Sequence, residues 1–238
     1  PIPKSYNEAP HGLRLAHGWR FFNDLRIVQK YKSFYYETTM STKELMKSAS
    51  LAGSSSLLEA EIIIDCLTKQ RDNFSRLDMS TSHLMGVINL TPDSFFKESQ
   101  TINALSVCKI ACQMFNDGAS IVDLGAESSR PGSKRISSEQ ELKRVLPSLI
   151  EIQKTNDLNI NISLDTRNLS TMVKGFDNGV NIINDISSFA NEKSIRFISK
   201  ENIPIVLMHM QKEPDVMQQK PIYKFAPIDI FKFFSNKI

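Results

Sequence analysis

A chain of 238 residues, 41% hydrophobic and 23% charged, is large enough for one sizeable domain plus an appendage and ordinary for a globular protein. A formal net charge of +3, dispersed along the chain, gives no electrostatic case for nucleic acid or an anionic membrane, and the apolar runs are too short to span a bilayer. Cys66, Cys108 and Cys112 form no disulfide framework and suit a reducing compartment, so the expected location is cytoplasmic. The chain opens on Pro1 without a signal-like segment, and whether a targeting segment precedes it stays open.

Residues 1–80 read as a small, partly helical appendage or a leader, without a chemical motif. Ser41-Thr42-Lys43-Glu44 has the spacing of a capping box opening a helix, Gly53-Ser54-Ser55-Ser56 reads as a break, and Glu61 to Leu67 fits a strand or a helix equally. From residue 83 the pattern becomes regular. The apolar run from Leu84 predicts a strand that ends in Asn89, followed by the turn-forming Thr91-Pro92-Asp93-Ser94. A helix is predicted over Asn103–Asn116, closed by Gly118. It places Cys108 and Cys112 four apart, where packing outweighs metal binding because no further ligand is near.

A strand over Ser120–Gly125 contains Asp123 and leads into a loop with Glu127-Ser128-Ser129-Arg130-Pro131-Gly132. Ser138 and Glu141 are spaced as a capping box for the next helix, with Leu142, Val145, Leu146 and Leu149 on its buried face. The third strand, Asn161–Leu164, ends in Asp165-Thr166-Arg167, and its helix stops at Gly179. The fourth, Val180–Ile183, ends in Asn184-Asp185 and precedes a short helix at 192–200. The fifth, Ile203–Leu207, ends in Met208-His209-Met210, and another helix begins at Ile228.

Five β/α units with apolar strands and helical crossovers predict a parallel sheet, and every strand delivers polar residues at its carboxyl end. The expected fold is therefore α/β, a parallel (β/α)8 TIM-barrel type with only about five units present. A full barrel takes roughly 250 residues, whereas about 155 follow residue 83. Residues 81–238 are thus expected to form a C-terminally incomplete barrel.

The strand ends suggest their own chemistry. Asp123, Asp165 and Asp185 are acceptors, and Asn184 is both donor and acceptor, a set that suits a flat heterocycle with amino and ring N–H edges. Arg130 beside Ser128 and Ser129 suits a phosphate or pyrophosphate, and Asn89 with Asp93 suits a divalent cation. Each has a plainer reading on its own: Asp123 as a loop cap, Arg130 as a solvated charge, His209 as a core histidine. Five strand ends of one kind argue for a shared pocket.

These residues also carry a resemblance. Met85–Phe96 and Asp123–Gly132 look like the first two signatures of the dihydropteroate synthase family of pterin-binding enzymes. Ser163-Leu164-Asp165-Thr166, Ile182-Ile183-Asn184-Asp185-Ile186 and Val206-Leu207-Met208-His209-Met210 match its following strand ends in order. The resemblance implies a transferase of folate biosynthesis that joins 6-hydroxymethyl-7,8-dihydropterin diphosphate to 4-aminobenzoate, needs Mg2+ and is a sulfonamide target. It assigns the pterin to Asp165, Asn184, Asp123 and Met208. The diphosphate and 4-aminobenzoate go to Thr91, Ser128, Ser129, Arg130 and Pro131. Asn89 becomes the metal ligand and, with Ser129 and Arg130, a catalytic residue.

The sequence departs from the family at Phe96-Lys97-Glu98-Ser99, where Ser-Asp-Gly-Gly is usual, and mildly at Ser129 and Ala126. The family's Asp-Pro-Gly-Phe-Gly, Ser-Arg-Lys and final Arg-x-His segments are absent. The alternatives are an inactive or split-gene fragment of such an enzyme, or a methyltetrahydrofolate-binding methyltransferase barrel. Expected partners are small molecules and neither nucleic acid nor membrane, with a homodimer and a separately encoded C-terminal part left open.

Overall fold

The structure, a computed structural model, describes residues 1–9, 11–32, 34–91, 103–128, 135–155, 160–214, 216 and 220–238. It divides into one unit of residues 1–73 with 78–82, and a second of residues 74–77 with 83–238.

In the first unit, short strands β1 (Leu13–Arg14) and β2 (Phe21–Phe22) pair antiparallel, as do the longer β3 (Asp24–Tyr31) and β4 (Phe34–Ser41). The β3–β4 hairpin is absent from the sequence reading. Helices α1 (Thr42–Ala52) and α2 (Ser54–Thr68) follow. Ser41 caps α1 as expected: its hydroxyl accepts from the Glu44 N–H at 3.2 Å, while the Glu44 carboxylate accepts from the Ser41 N–H at 2.8 Å. The break falls at Gly53, whose φ of +120° suits glycine, and Glu61–Leu67 resolves as helix.

The second unit holds five parallel strands in chain order: β5 (Met85–Asn89), β6 (Ile121–Gly125), β7 (Asn161–Asp165), β8 (Ile182–Asp185) and β9 (Ile205–Leu207). The intervening helices are α3 (Ala104–Asn116), α4 (Ser138–Gln153), α5 (Leu169–Phe176) and α6 (Glu192–Glu201), with α7 (Ala226–Ser235) after β9. All five expected strands are present. Ile88, Val122, Leu124, Ile162, Leu164 and Ile183 point to one face and pack with Val107, Ala111, Val145, Leu149 and Met172 from the helices. Full burial of each such side chain stabilises by about 1.5–3 kcal/mol. Cys108 joins this core, so the Cys108/Cys112 pair is used for packing, and no group of three His, Cys, Asp or Glu residues able to hold a metal occurs among the described residues. None of the described helices is long and apolar enough to cross a membrane.

Asn161 stitches the amino end of the sheet. Its amide donates to the Ser120 carbonyl, and its oxygen accepts from Ser75 Oγ and Asn181 Nδ2, each at 3.2 Å.

One helix start differs from the sequence reading. The cap of α4 is Ser137, whose hydroxyl accepts from the Gln140 N–H at 3.2 Å, and not Ser138. Glu141 forms no box with Ser138. It is 1% exposed and turns into the protein, where Oε2 accepts from Thr166 Oγ1 at 2.9 Å and Asn168 Nδ2 at 3.0 Å. Two hydrogen bonds at the end of β7 outweigh one at a solvated helix end.

Candidate active site

The register of the parallel sheet decides which residues meet. Asn89 pairs with Gly125, Gly125 with Asp165, and Asp165 with Asn184, forming one row across four strands. The row before it holds Val87, Asp123, Ser163 and Ile182. Side chains alternate along a strand, so both rows share the face opposite the helix-packed core. The apolar residues between them, Ile88, Leu124, Leu164 and Ile183, point the other way. In β6 and β7 strict alternation thus separates a structural set, Val122, Leu124, Ile162 and Leu164, from a chemical set, Asp123, Ser163 and Asp165.

On that inner face Asn184 Nδ2 donates to Asp123 Oδ2 at 3.2 Å, bridging β8 to β6 across β7. Asp123 Oδ1 and Ser163 Oγ are buried and have no hydrogen-bond partner among the described residues. Burial pushes the Asp123 carboxyl above its ordinary value, against the neighbouring Ser163 hydroxyl and the Asn184 amide, which lower it. Asp165 is pushed up to about 7, first by burial and then by the negative charges of Asp123, Glu141, Asp185 and Glu127. A Cβ on Gly125 would lie 3.4 Å from Asp165 Oδ2 and 3.7 Å from Asn89 Oδ1, so the absent side chain leaves room between those two groups. This face can therefore accept N–H donors at two carboxyls, offer one amide, and hold a proton near neutrality.

The remaining sequence-predicted residues divide three ways. Asn89 sits exposed at the end of β5, Thr91 is buried just beyond it, and Ser128 is half-buried after β6. Ser129, Arg130, Pro131 and Asp93 lie outside the described residues. Met208 and His209 follow β9: the Met208 carbonyl accepts from Ser188 Oγ at 2.6 Å, and the His209 ring stacks edge-on to Phe233 at 4.8 Å with Tyr223 at 5.8 Å. His209 is thereby held in an aromatic cluster with α7. Asp185 is withdrawn from the inner face by alternation. It is 1% exposed and accepts from the Ser187 N–H and hydroxyl at 2.7 Å and from the Phe189 N–H at 3.1 Å, fixing the turn where Ser188 and Phe189 take positive φ.

Sequence reasoning missed two residues. Glu141 looked like a cap. Arg167 carries no local signal, because its partners Glu127 and Glu213 lie 40 and 46 positions away.

Known proteins match this chain in sequence and fold. The family described as pterin binding enzyme matches residues 85–236. The chain is 36% identical over 162 residues to the dihydropteroate synthase of Escherichia coli K12, covering 68% of this chain and 57% of that protein. It superposes on Yersinia pestis dihydropteroate synthase, solved in complex with a sulfonamide drug, with a TM-score of 0.62 and 34% identity over 68% of this chain and 58% of that one. The Thermus thermophilus enzyme in complex with 4-aminobenzoate gives a TM-score of 0.60 and 27% identity, covering 70% of this chain and 60% of the other. The chain spans a little under three fifths of the length of the dihydropteroate synthases of Escherichia coli and Haemophilus influenzae that it matches.

Proposed function

This chain belongs to the pterin-binding enzyme family, and we propose that it supplies the pterin-holding part of a dihydropteroate synthase. The reaction joins 6-hydroxymethyl-7,8-dihydropterin diphosphate to 4-aminobenzoate, giving 7,8-dihydropteroate and diphosphate. The observation that carries this reading is the row Asp165–Asn184 at adjacent strand ends, backed by Asp123 bonded to Asn184. A pterin edge presents an amino group and ring N–H donors beside a carbonyl. Asp165 and Asp123 accept from such donors, the orphan Asp123 Oδ1 gains a partner, and Asn184 completes the set. Met208, at the next strand end, packs beside the ring.

The chemical step is displacement at the pterin methylene carbon. The aniline nitrogen is already nucleophilic and needs orientation more than activation. The barrier lies in the leaving diphosphate, for which Thr91, Ser128, Ser129 and Arg130 supply donors and a cation, while Pro131, which has no donor, restricts the backbone next to Arg130. The donor set beside the site is all oxygen: Asn89 Oδ1 near the Asp165 carboxylate, with no His or Cys cluster among the described residues. That fits Mg2+, which takes one or two protein oxygens and completes its shell with phosphate and water. When bound it neutralises charge on the leaving diphosphate. The further basic groups this departure needs are assigned to the rest of the barrel, on the same polypeptide or a separate one. The free thiols of Cys66, Cys108 and Cys112 suit a cytoplasmic setting.

The test is calorimetric titration of the 238-residue chain with 6-hydroxymethylpterin and its diphosphate. Asp165→Asn and Asn184→Ala should each weaken bare pterin at least about tenfold. Binding that ignores both substitutions, or no binding by the wild type, would sink the assignment. Product formation with Mg2+ is expected only when the completing C-terminal part is added.

A further inference from the structure

We propose that Arg167 is a positioning residue: through Glu127 it clasps the two ends of the segment 128–135, and through Glu213 it ties that clasp to the loop after β9. Glu127 lies two residues beyond Gly125 of β6, and Arg167 two beyond Asp165 of β7. Glu127 Oε1 accepts from Arg167 Nε at 2.9 Å and Nη2 at 2.6 Å, while Glu127 Oε2 accepts from the Ile136 N–H at 3.0 Å. A single carboxylate thus joins the start of the segment, its return point just ahead of the Ser137 cap, and the neighbouring strand end. Arg167 Nη1 also donates to Glu213. From α4, Arg144 Nη1 donates to the Ala126 carbonyl at 2.8 Å, fixing the residue before Glu127.

The burial separates this arrangement from a surface ion pair. The Arg167 and Glu127 side chains are 8% and 9% exposed, whereas Glu213 is 58% exposed. A buried ion pair adds little net stability once desolvation is counted. Two guanidinium N–H groups converging on Glu127 Oε1, with Oε2 held by the Ile136 N–H, do fix one orientation. Here that orientation sets where the segment leaves β6 and where it re-enters α4.

The functional consequence rests on the reading above, in which the clasped segment bears the diphosphate and aminobenzoate residues and the inner face bears the pterin. Disturbing the clasp should then injure diphosphate recognition and spare the bare ring.

The experiment uses the full 238-residue chain as wild type, Arg167→Ala, Arg167→Lys and the double variant Glu127→Gln/Arg167→Met, which removes both charges if the single alanine fails to fold. Trypsin cleavage at Lys134 and Arg135, followed by mass spectrometry against cleavage at Lys32 in the first unit, reads the clasp without any ligand. It should accelerate about tenfold in Arg167→Ala and in the double variant, with Lys32 unchanged and Arg167→Lys intermediate. Titration with 6-hydroxymethylpterin diphosphate should weaken at least about fivefold in the same variants, while 6-hydroxymethylpterin stays within about twofold. An unchanged cleavage ratio in every folded variant overturns the clasp. Equal weakening of both ligands shows a merely structural role and overturns the positioning assignment. If the wild type binds neither pterin, the functional reading has failed, and the cleavage ratio alone still decides for or against the clasp.

Discussion

The two faces of the five-stranded sheet come from the same strands and obey opposite rules. On the helix side, Ile88, Leu124, Leu164 and Ile183 are fully buried and apolar. On the inner side, one residue away, Asp123 and Ser163 are buried, each with an oxygen that has no hydrogen-bond partner among the described residues, and Asp165 is pushed up to about 7. The first face is where the chain gains stability. The second gives some of it up to keep unsatisfied acceptors in place, as sites built for a ligand commonly do.

The contrast can be broken most forcefully at Leu164. Leu164→Ala, at 0% exposure, should cost about 2–5 kcal/mol, read as a lower urea midpoint with an unchanged slope. Any loss of pterin affinity should follow only from the unfolded fraction.

Asp165→Asn should move stability the other way. The folded pKa near 7 lies above the ordinary 3.8, so the folded chain keeps a proton that the unfolded chain has released. Stability therefore falls as pH rises through that window. Removing the charge should raise stability by about 2 kcal/mol at about pH 8, less at pH 5, while abolishing pterin binding. A variant with the wild-type dependence on pH would show that another group sets it.

Two glycines sharpen the comparison further. A Cβ on Gly175 of α5 would sit 2.5 Å from Leu164 Cδ2 and 3.3 Å from Val180 Cγ2, so Gly175→Ala should cost about 1–2 kcal/mol through overpacking. A Cβ on Gly125 meets nothing closer than 3.4 Å. Gly125→Ala should change stability by less than about 0.5 kcal/mol, yet its methyl fills the space between Asp165 and Asn89. Thermal melts and pterin titration of the pair should therefore give opposite rankings.

Most of the second unit was legible because its signals are local. The strands are short apolar runs, each helix closes on a glycine or polar cap, and the carboxyl-end residues follow directly. The alternation Val122-Asp123-Leu124-Gly125 and Ile162-Ser163-Leu164-Asp165 already separates core from site, and would have sent Asp185 to the helix side with Ile183. The β3–β4 hairpin was illegible for a physical reason. Of its sixteen residues only Leu25 is buried, so no period-two stripe forms, and its turn places Lys32 at φ +54° in the role usually taken by Asn or Gly. Glu141 misled because Ser137-x-x-Gln140 and Ser138-x-x-Glu141 fit the same cap pattern, and only contacts with Thr166 and Asn168 choose between them. Arg167 depends wholly on long-range partners.

The order of the sheet, β5-β6-β7-β8-β9, is also the order in which a ribosome delivers its strands. Met85 waits for Ile121, Ile121 for Asn161, Ser163 for Ile182, and Ile183 for Ile205, each the next strand to emerge. No strand must be inserted between two that have already paired, so each loop closed in assembly is no longer than one crossover. A nascent chain halted after α4, α5 or α6 would already own a sheet of two, three or four strands with its covering helices, and synthesis would lengthen it without reshuffling what is built.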